Sequence, residues 1–143
     1  MKIDRRSFVS PNFSSRKGKE IDTVVIHHTG GRYSGDINWL CSEESQVSCH
    51  YYIKRDGRVF QLVDEANNAW HAGKSYYDVN GDGKITRDEM WFNRRSLGIE
   101  LESTGGNGYT HLQLDSLVRL CRDINDRIPV SFLGIKKLPR KEK

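Results

Sequence analysis

TVVIHHTGG, residues 23–31, sets the fold class of this chain. With the two residues before it, the run reads IDTVVIH, and its β-branched residues are dense enough for a buried central strand over 21–27. The HTGGRYSG that follows, residues 28–35, is rich in turn formers and reads as a loop. His27 ends the apolar run. A histidine there is either a satisfied core residue or a metal ligand presented at the sheet's edge. One histidine does not make a zinc site, because catalytic zinc takes three protein ligands and an open position.

Further strands follow on the C-terminal side. VSCHYYI (47–53) and VFQLV (59–63) are apolar runs separated by KRDG, whose Asp-Gly supplies the backbone freedom of a hairpin turn. LGIEL (97–101) is a fourth strand, and residues 36–41 form a short helical turn. From His111 the period changes: Leu114, Leu117, Val118, Cys121, Ile124 and Ile128 recur at threes and fours, which predicts one apolar helix stripe. Thr110 and Gln113 have the spacing of a capping box, and Pro129 marks the exit. The tail SFLGIKKLPRKEK has no clear period. The expectation is a polar, basic arm over 1–20 and one α/β domain over 21–143, with a central mixed sheet flanked by helices.

The 143 residues suit one hydrophobic core. Twenty-three basic against nineteen acidic residues give a formal charge of +4, concentrated near the two ends, which favours anionic partners without choosing among them. No basic stripe interleaved with aromatics and no known motif speaks for nucleic acid. No apolar run approaches a membrane span, and MKIDRRSFVSPNFSS lacks the apolar core of a signal peptide. Cys41, Cys49 and Cys121 are odd in number, form no CxxC, and read as small buried hydrophobes in a reducing compartment.

DVNGDGKITRDE, residues 78–89, spells an EF-hand-like calcium loop. Such loops take oxygen ligands at positions one, three, five, seven, nine and twelve, with glycine at six. Here these are Asp78, Asn80, Asp82, the Lys84 carbonyl, Thr86 and Glu89, with Gly83 at the turn. The alternative is an acidic surface turn that binds nothing. A lone loop has no partner to form a sensor pair, so its calcium is expected to be structural, clamping an insertion over about 74–92.

His50 and His71 are further candidate ligands or core residues, and His111 starts a helix where exposure is expected. Glu100 is the odd residue of LGIEL. A carboxylate in an apolar strand is costly unless it is paired or faces a cleft. Beside a metal-bound water it could accept a proton; the alternative is a buried structural carboxylate.

Four blocks in this order, TVVIHHTGG, VSCHYYIKRDGRVFQLV, AWHAGKS and NRRSLGIELE, resemble the zinc-dependent N-acetylmuramoyl-L-alanine amidase family, which includes phage lysozyme-like amidases and peptidoglycan recognition proteins. The similarity runs from about residue 21 to residue 129. The resemblance implies a mixed sheet with a groove holding Zn2+ and cleavage of the amide between N-acetylmuramic acid and L-alanine of bacterial peptidoglycan. It makes His27 a zinc ligand, and His28 either a support behind the metal ligands or a structural residue. Glu100 becomes the base that takes the zinc water's proton, and His50, Trp70, His71 and Asn93 become groove residues. One branch of the family has a tyrosine where this chain has Cys49, which favours Glu100 as the base.

The chain departs from the family after the last helix. There the family carries a glycine–histidine pair and then a lysine with a cysteine or aspartate, which supply the other zinc ligands and a cationic helper. This chain reads IPVSFLGIKKLPRKEK, with Ile135 where the histidine is expected and no cysteine or aspartate beyond it. Two readings follow. One is an amidase of the endolysin type, held in the cytoplasm until it is released to the wall, or a domain of a secreted protein. The other is a catalytically impaired peptidoglycan-binding module of the same fold, stabilised by Ca2+. Oligomeric state is not legible.

Overall fold

The computed structural model describes residues 1–30, 36–72, 75–77, 86–88, 91–104 and 106–137. β3 (Thr23–His28) and β9 (Ser96–Leu101) form the centre of a six-stranded sheet, paired in parallel from Thr23 against Ser96 to His28 against Leu101. β4 (Tyr51–Ile53) lies parallel on the other side of β9. β5 (Val59–Gln61) runs antiparallel to β4, and β1 (Ile3–Asp4) completes that edge parallel to β5. β10 (Ser131–Lys137) forms the opposite edge, parallel to β3, so the order is β1-β5-β4-β9-β3-β10. The sheet is mixed, as expected, and its central strands are near-continuous apolar runs because both faces are covered.

Side-chain alternation assigns the two faces. Val24, Tyr51, Ile53, Leu97, Ile99 and Leu101 pack on one side against Leu117, Leu120 and Ile124 of α3 (His111–Arg127). On the other side Tyr52 and Phe60 join Cys49, Leu62 and Ala69 beneath α1 (Ile37–Leu40). α3 begins with the expected capping box, Thr110 with Gln113, and ends at Arg127 just before Pro129.

Its apolar stripe is phased differently from the sequence expectation. Leu114 and Val118 stand 39% and 47% exposed, while the inward positions are Gln113, Leu117, Leu120 and Ile124. The cause is Gln113. Its amide donates to the carbonyls of Ile53 and Glu102 at 3.0 and 2.9 Å, which turns that helix face onto the sheet.

The expected strand over 47–53 shortens to β4 because the residues before it are bonded elsewhere. The Ser48 N–H donates to Trp70 O, and its hydroxyl to Asn12 O at 2.5 Å. The aperiodic tail is β10. A register shift between Leu133 and Ile135 breaks its alternation, which is why no period shows in the sequence. Residues 1–20 lie along the domain: besides β1, β2 (Phe13–Ser15) pairs antiparallel with β6 (Asn67–Ala69). The side chain of Asn12 donates to Ser42 O and Val47 O at 2.8 and 2.9 Å.

Asp78, Asn80, Asp82, Lys84 and Glu89 of the calcium-like loop lie outside the described residues. The segment just before the loop, β7 (Ser75–Tyr77), pairs antiparallel with β8 (Thr86–Asp88), which takes in the loop's own positions nine to eleven, with Tyr77 opposite Thr86. α2 (Trp91–Arg94) then leads into β9. All three cysteines are free, and burial pushes each thiol up, to about 11 for Cys41 and Cys121. No described helix is long and apolar enough to cross a membrane.

Candidate active site

Register places the two leading candidates side by side. His27 on β3 is the Cα partner of Glu100 on β9, and Glu100 is in turn the partner of Tyr52 on β4. This row lies on the face turned away from α3. His27 is 2% exposed and Glu100 not at all.

His71 packs under His27, with ring centroids 5.3 Å apart at 69°. It fits there because β9 carries Gly98 at that point: an added Cβ would lie 2.4 Å from His71 Cγ. Asn93 Oδ1 accepts from the N–H groups of His71 and Ala72 at 3.3 and 2.9 Å. The hydrogen bonds fix the ring protons. Ser96 Oγ spends its own proton on Phe92 O at 2.7 Å, so it accepts from His71 Nε2 at 2.8 Å. Burial and the neighbouring His27 hold His71 well below the usual imidazole range, hence neutral, and its Nδ1 carries the lone pair. His27 Nε2–H therefore donates to His71 Nδ1 across 3.0 Å, and the His27 lone pair is on Nδ1.

His50 is ordered in the same way. Its Nδ1 accepts from Gly98 N–H at 3.1 Å, so Nε2–H donates to Asn67 O at 2.8 Å. Burial lowers its pKa to about 4. Trp70 is partly buried, and its Nε1–H donates to Ser14 Oγ at 3.1 Å. His50, His71 and Asn93 are thus buried supports beneath His27. His28 faces the other way from His27, and His111 is exposed at the start of α3. Arg16 and Ser96, both part of this support, carry no signal in the sequence.

Both Glu100 carboxyl oxygens are buried with no hydrogen-bond partner among the described residues, and burial raises this carboxyl well above the usual range. Such a group holds its proton; a cation beside it would have to bring the pKa down before it could act as a base. Zinc can be tested against the donors present. His27 Nδ1 is suited to a metal. The strand next to it, however, places Ile135, Lys136 and Lys137 beside Ile26, His27 and His28, and neither isoleucine nor a lysine ammonium is a zinc ligand. No group of three His, Cys, Asp or Glu able to hold a metal occurs among the described residues. Zinc on three protein ligands does not fit these residues.

A cleft of about 400 Å³ opens where the same strands end. Thr29, Glu102 and Lys54 line it, each two residues beyond His27, Glu100 and Tyr52. Asp36 and Asn38 at α1 and Ser103, Thr104 and Asn107 after β9 form its walls, and Phe8 completes it. Its lining is mixed: polar and charged side chains stand beside Ile37 and the Phe8 ring, whose centre is 5.6 Å from the Lys54 ammonium.

Comparisons with known proteins agree with this architecture. The sequence profile of the N-acetylmuramoyl-L-alanine amidase family matches residues 17–137. N-acetylmuramoyl-L-alanine amidase A of Achromobacter lyticus is 35% identical over 86 residues, covering 57% of this chain and 48% of that protein, so this match spans about half of that relative's length. The 1,6-anhydro-N-acetylmuramyl-L-alanine amidase AmpD of Haemophilus influenzae is 32% identical over 145 residues, 88% of this chain and 74% of that protein. The solution structure of Citrobacter freundii AmpD superposes with a TM-score of 0.60 at 25% identity, covering 97% of this chain and 82% of that one. With four-fifths of its length in the family profile and its sheet in the family's arrangement, the chain belongs to the N-acetylmuramoyl-L-alanine amidase family.

Proposed function

We propose that this chain is a peptidoglycan-binding module of the amidase fold whose hydrolytic site is impaired. The supporting observation is the pairing of β10 with β3, which sets Ile135 and Lys136 beside Ile26 and His27, where a metal on His27 would need further ligands. The cleft at the strand ends is suited to a glycan-peptide strand, with hydroxyl and amide side chains for its sugars and backbone amides and Phe8 and Ile37 for its apolar faces. A structural Ca2+ on Asp78, Asn80, Asp82, Lys84, Thr86 and Glu89 is part of the same reading, on the strength of the oxygen ligands that the sequence sets at calcium-loop spacing.

The amidase reading keeps one observation in its favour: His27 and Glu100, the residues the resemblance makes zinc ligand and base, stand side by side on β3 and β9. Incubation with purified peptidoglycan separates the two readings. The binding module co-sediments with the wall and releases no stem peptide, with or without added zinc. Zinc-dependent release of stem peptides would overturn it in favour of the amidase, and failure to co-sediment would overturn the binding function.

A further inference from the structure

Arg16 lies outside the 17–137 stretch matched by the family profile, in the segment read from sequence as an arm. Its side chain is nevertheless buried, 7% exposed, with its pKa lowered by burial only to about 10, so it remains a cation. The guanidinium donates to four carbonyls. Nε reaches Glu65 O at 2.9 Å; Nη1 reaches Asn93 O, Arg94 O and Ser96 O at 3.3, 2.8 and 3.1 Å. The last three belong to the corner between α2 and β9, where a helix end leaves carbonyls unsatisfied. Nη2 lies 3.1 Å from His50 Nε2, but that nitrogen already donates to Asn67 O. Nη1 is thus the arm that holds the corner, and Nε ties the guanidinium to Glu65 O.

The same corner supplies both side chains that hold His71: Asn93 takes its backbone N–H, and Ser96 takes its Nε2–H. Ser96 can accept only while its own hydroxyl points to Phe92 O, inside that corner. We infer that Arg16 is a positioning residue of the site: by clamping the Asn93–Ser96 corner it holds Ser96 and Asn93 on His71, and through His71 it fixes the single tautomer of His27. The chain of contacts is continuous, from Arg16 through the carbonyls of residues 93–96, Ser96 Oγ and His71 to His27. The inference rests on His27 as the reference side chain of the proposed site, but its readout requires neither wall binding nor metal.

The test is 15N-imidazole NMR of the full chain in three variants: Arg16→Met, Arg16→Lys and Ser96→Ala. In the unsubstituted protein His27 and His71 each show one tautomer, protonated at Nε2. Ser96→Ala breaks the relay directly and is expected to give His71 a second set of ring resonances, transmitted to His27. Arg16→Met is expected to do the same while the methyl signals of Val24, Leu120 and Ile124 stay in place. A lysine cannot reach the three corner carbonyls together, so Arg16→Lys gives the same mixed tautomers to a smaller extent and decides the matter if the methionine variant does not fold. Single, unshifted His71 and His27 tautomers in a folded Arg16 variant would overturn the inference, whatever Ser96→Ala does. In the unsubstituted protein, single tautomers without co-sedimentation with the wall would count against the proposed function and leave the inference standing.

Discussion

A β-carbon on Gly98 would stand 2.4 Å from Cγ of His71, and only its absence lets the imidazole lie against β9 between His27 and Ser96. Gly98→Ala forces the ring or the strand to move. Overpacking of a filled interior costs roughly 1–3 kcal/mol. The expected outcome is a lower unfolding midpoint together with loss of the His27–His71 hydrogen bond by NMR. Unchanged stability and an unchanged His71 signal would show that the ring does not sit where described.

Glu100 costs stability at neutral pH. Its folded pKa is raised above the unfolded value of 4.5, so its contribution is fully present below pH 4.5 and is lost as pH rises toward the folded pKa. Glu100→Gln removes this titration. Urea unfolding at several pH values should show the variant more stable at pH 7, with the gain gone below pH 4.5. The same variant should leave peptidoglycan co-sedimentation nearly intact.

His50 acts in the opposite sense. Its pKa falls from 6.5 to about 4, so the stability it contributes is present above pH 6.5 and is lost as pH drops from there to about 4. The shift corresponds to an upper value of about 3 kcal/mol. Since Glu100 partly cancels this slope in the unsubstituted protein, the Glu100→Gln background exposes it. Stability in that background should decline between pH 6.5 and 4, and the His50 ring signals should stay neutral until about pH 4.

The proposed calcium site predicts a ligand-linked gain. Any ion bound only by the folded state raises the unfolding midpoint with concentration. Calcium should raise the midpoint of the unsubstituted chain, and Asp82→Ala should abolish most of that rise. Equal midpoints with calcium and with chelator would remove calcium from the account.

The sheet was largely legible. A β-branched run identified β3, the apolar LGIEL identified β9, the Asp-Gly turn identified the β4–β5 hairpin, and Thr110 with Gln113 fixed the start of α3. What the sequence hid has specific causes. The α3 stripe was misphased because a polar residue, Gln113, faces inward to bond two carbonyls that no sequence pattern reveals. β10 was hidden by its bulge. Of the site, His27 and Glu100 were legible from their odd placement in apolar strands. Their support was not. Arg16 is one basic residue in a basic segment, and Ser96 is one serine at a strand start. Their roles arise from contacts across 80 residues, from Arg16 to Ser96.

The central claim is a folded amidase-family domain without the family's zinc, and elemental analysis of protein purified without chelator tests it most directly. Stoichiometric calcium and no zinc are expected, with zinc still absent after the metal is added back and excess is removed. Stoichiometric zinc retained through that wash would contradict it, and would mean that His27 has found its missing ligands.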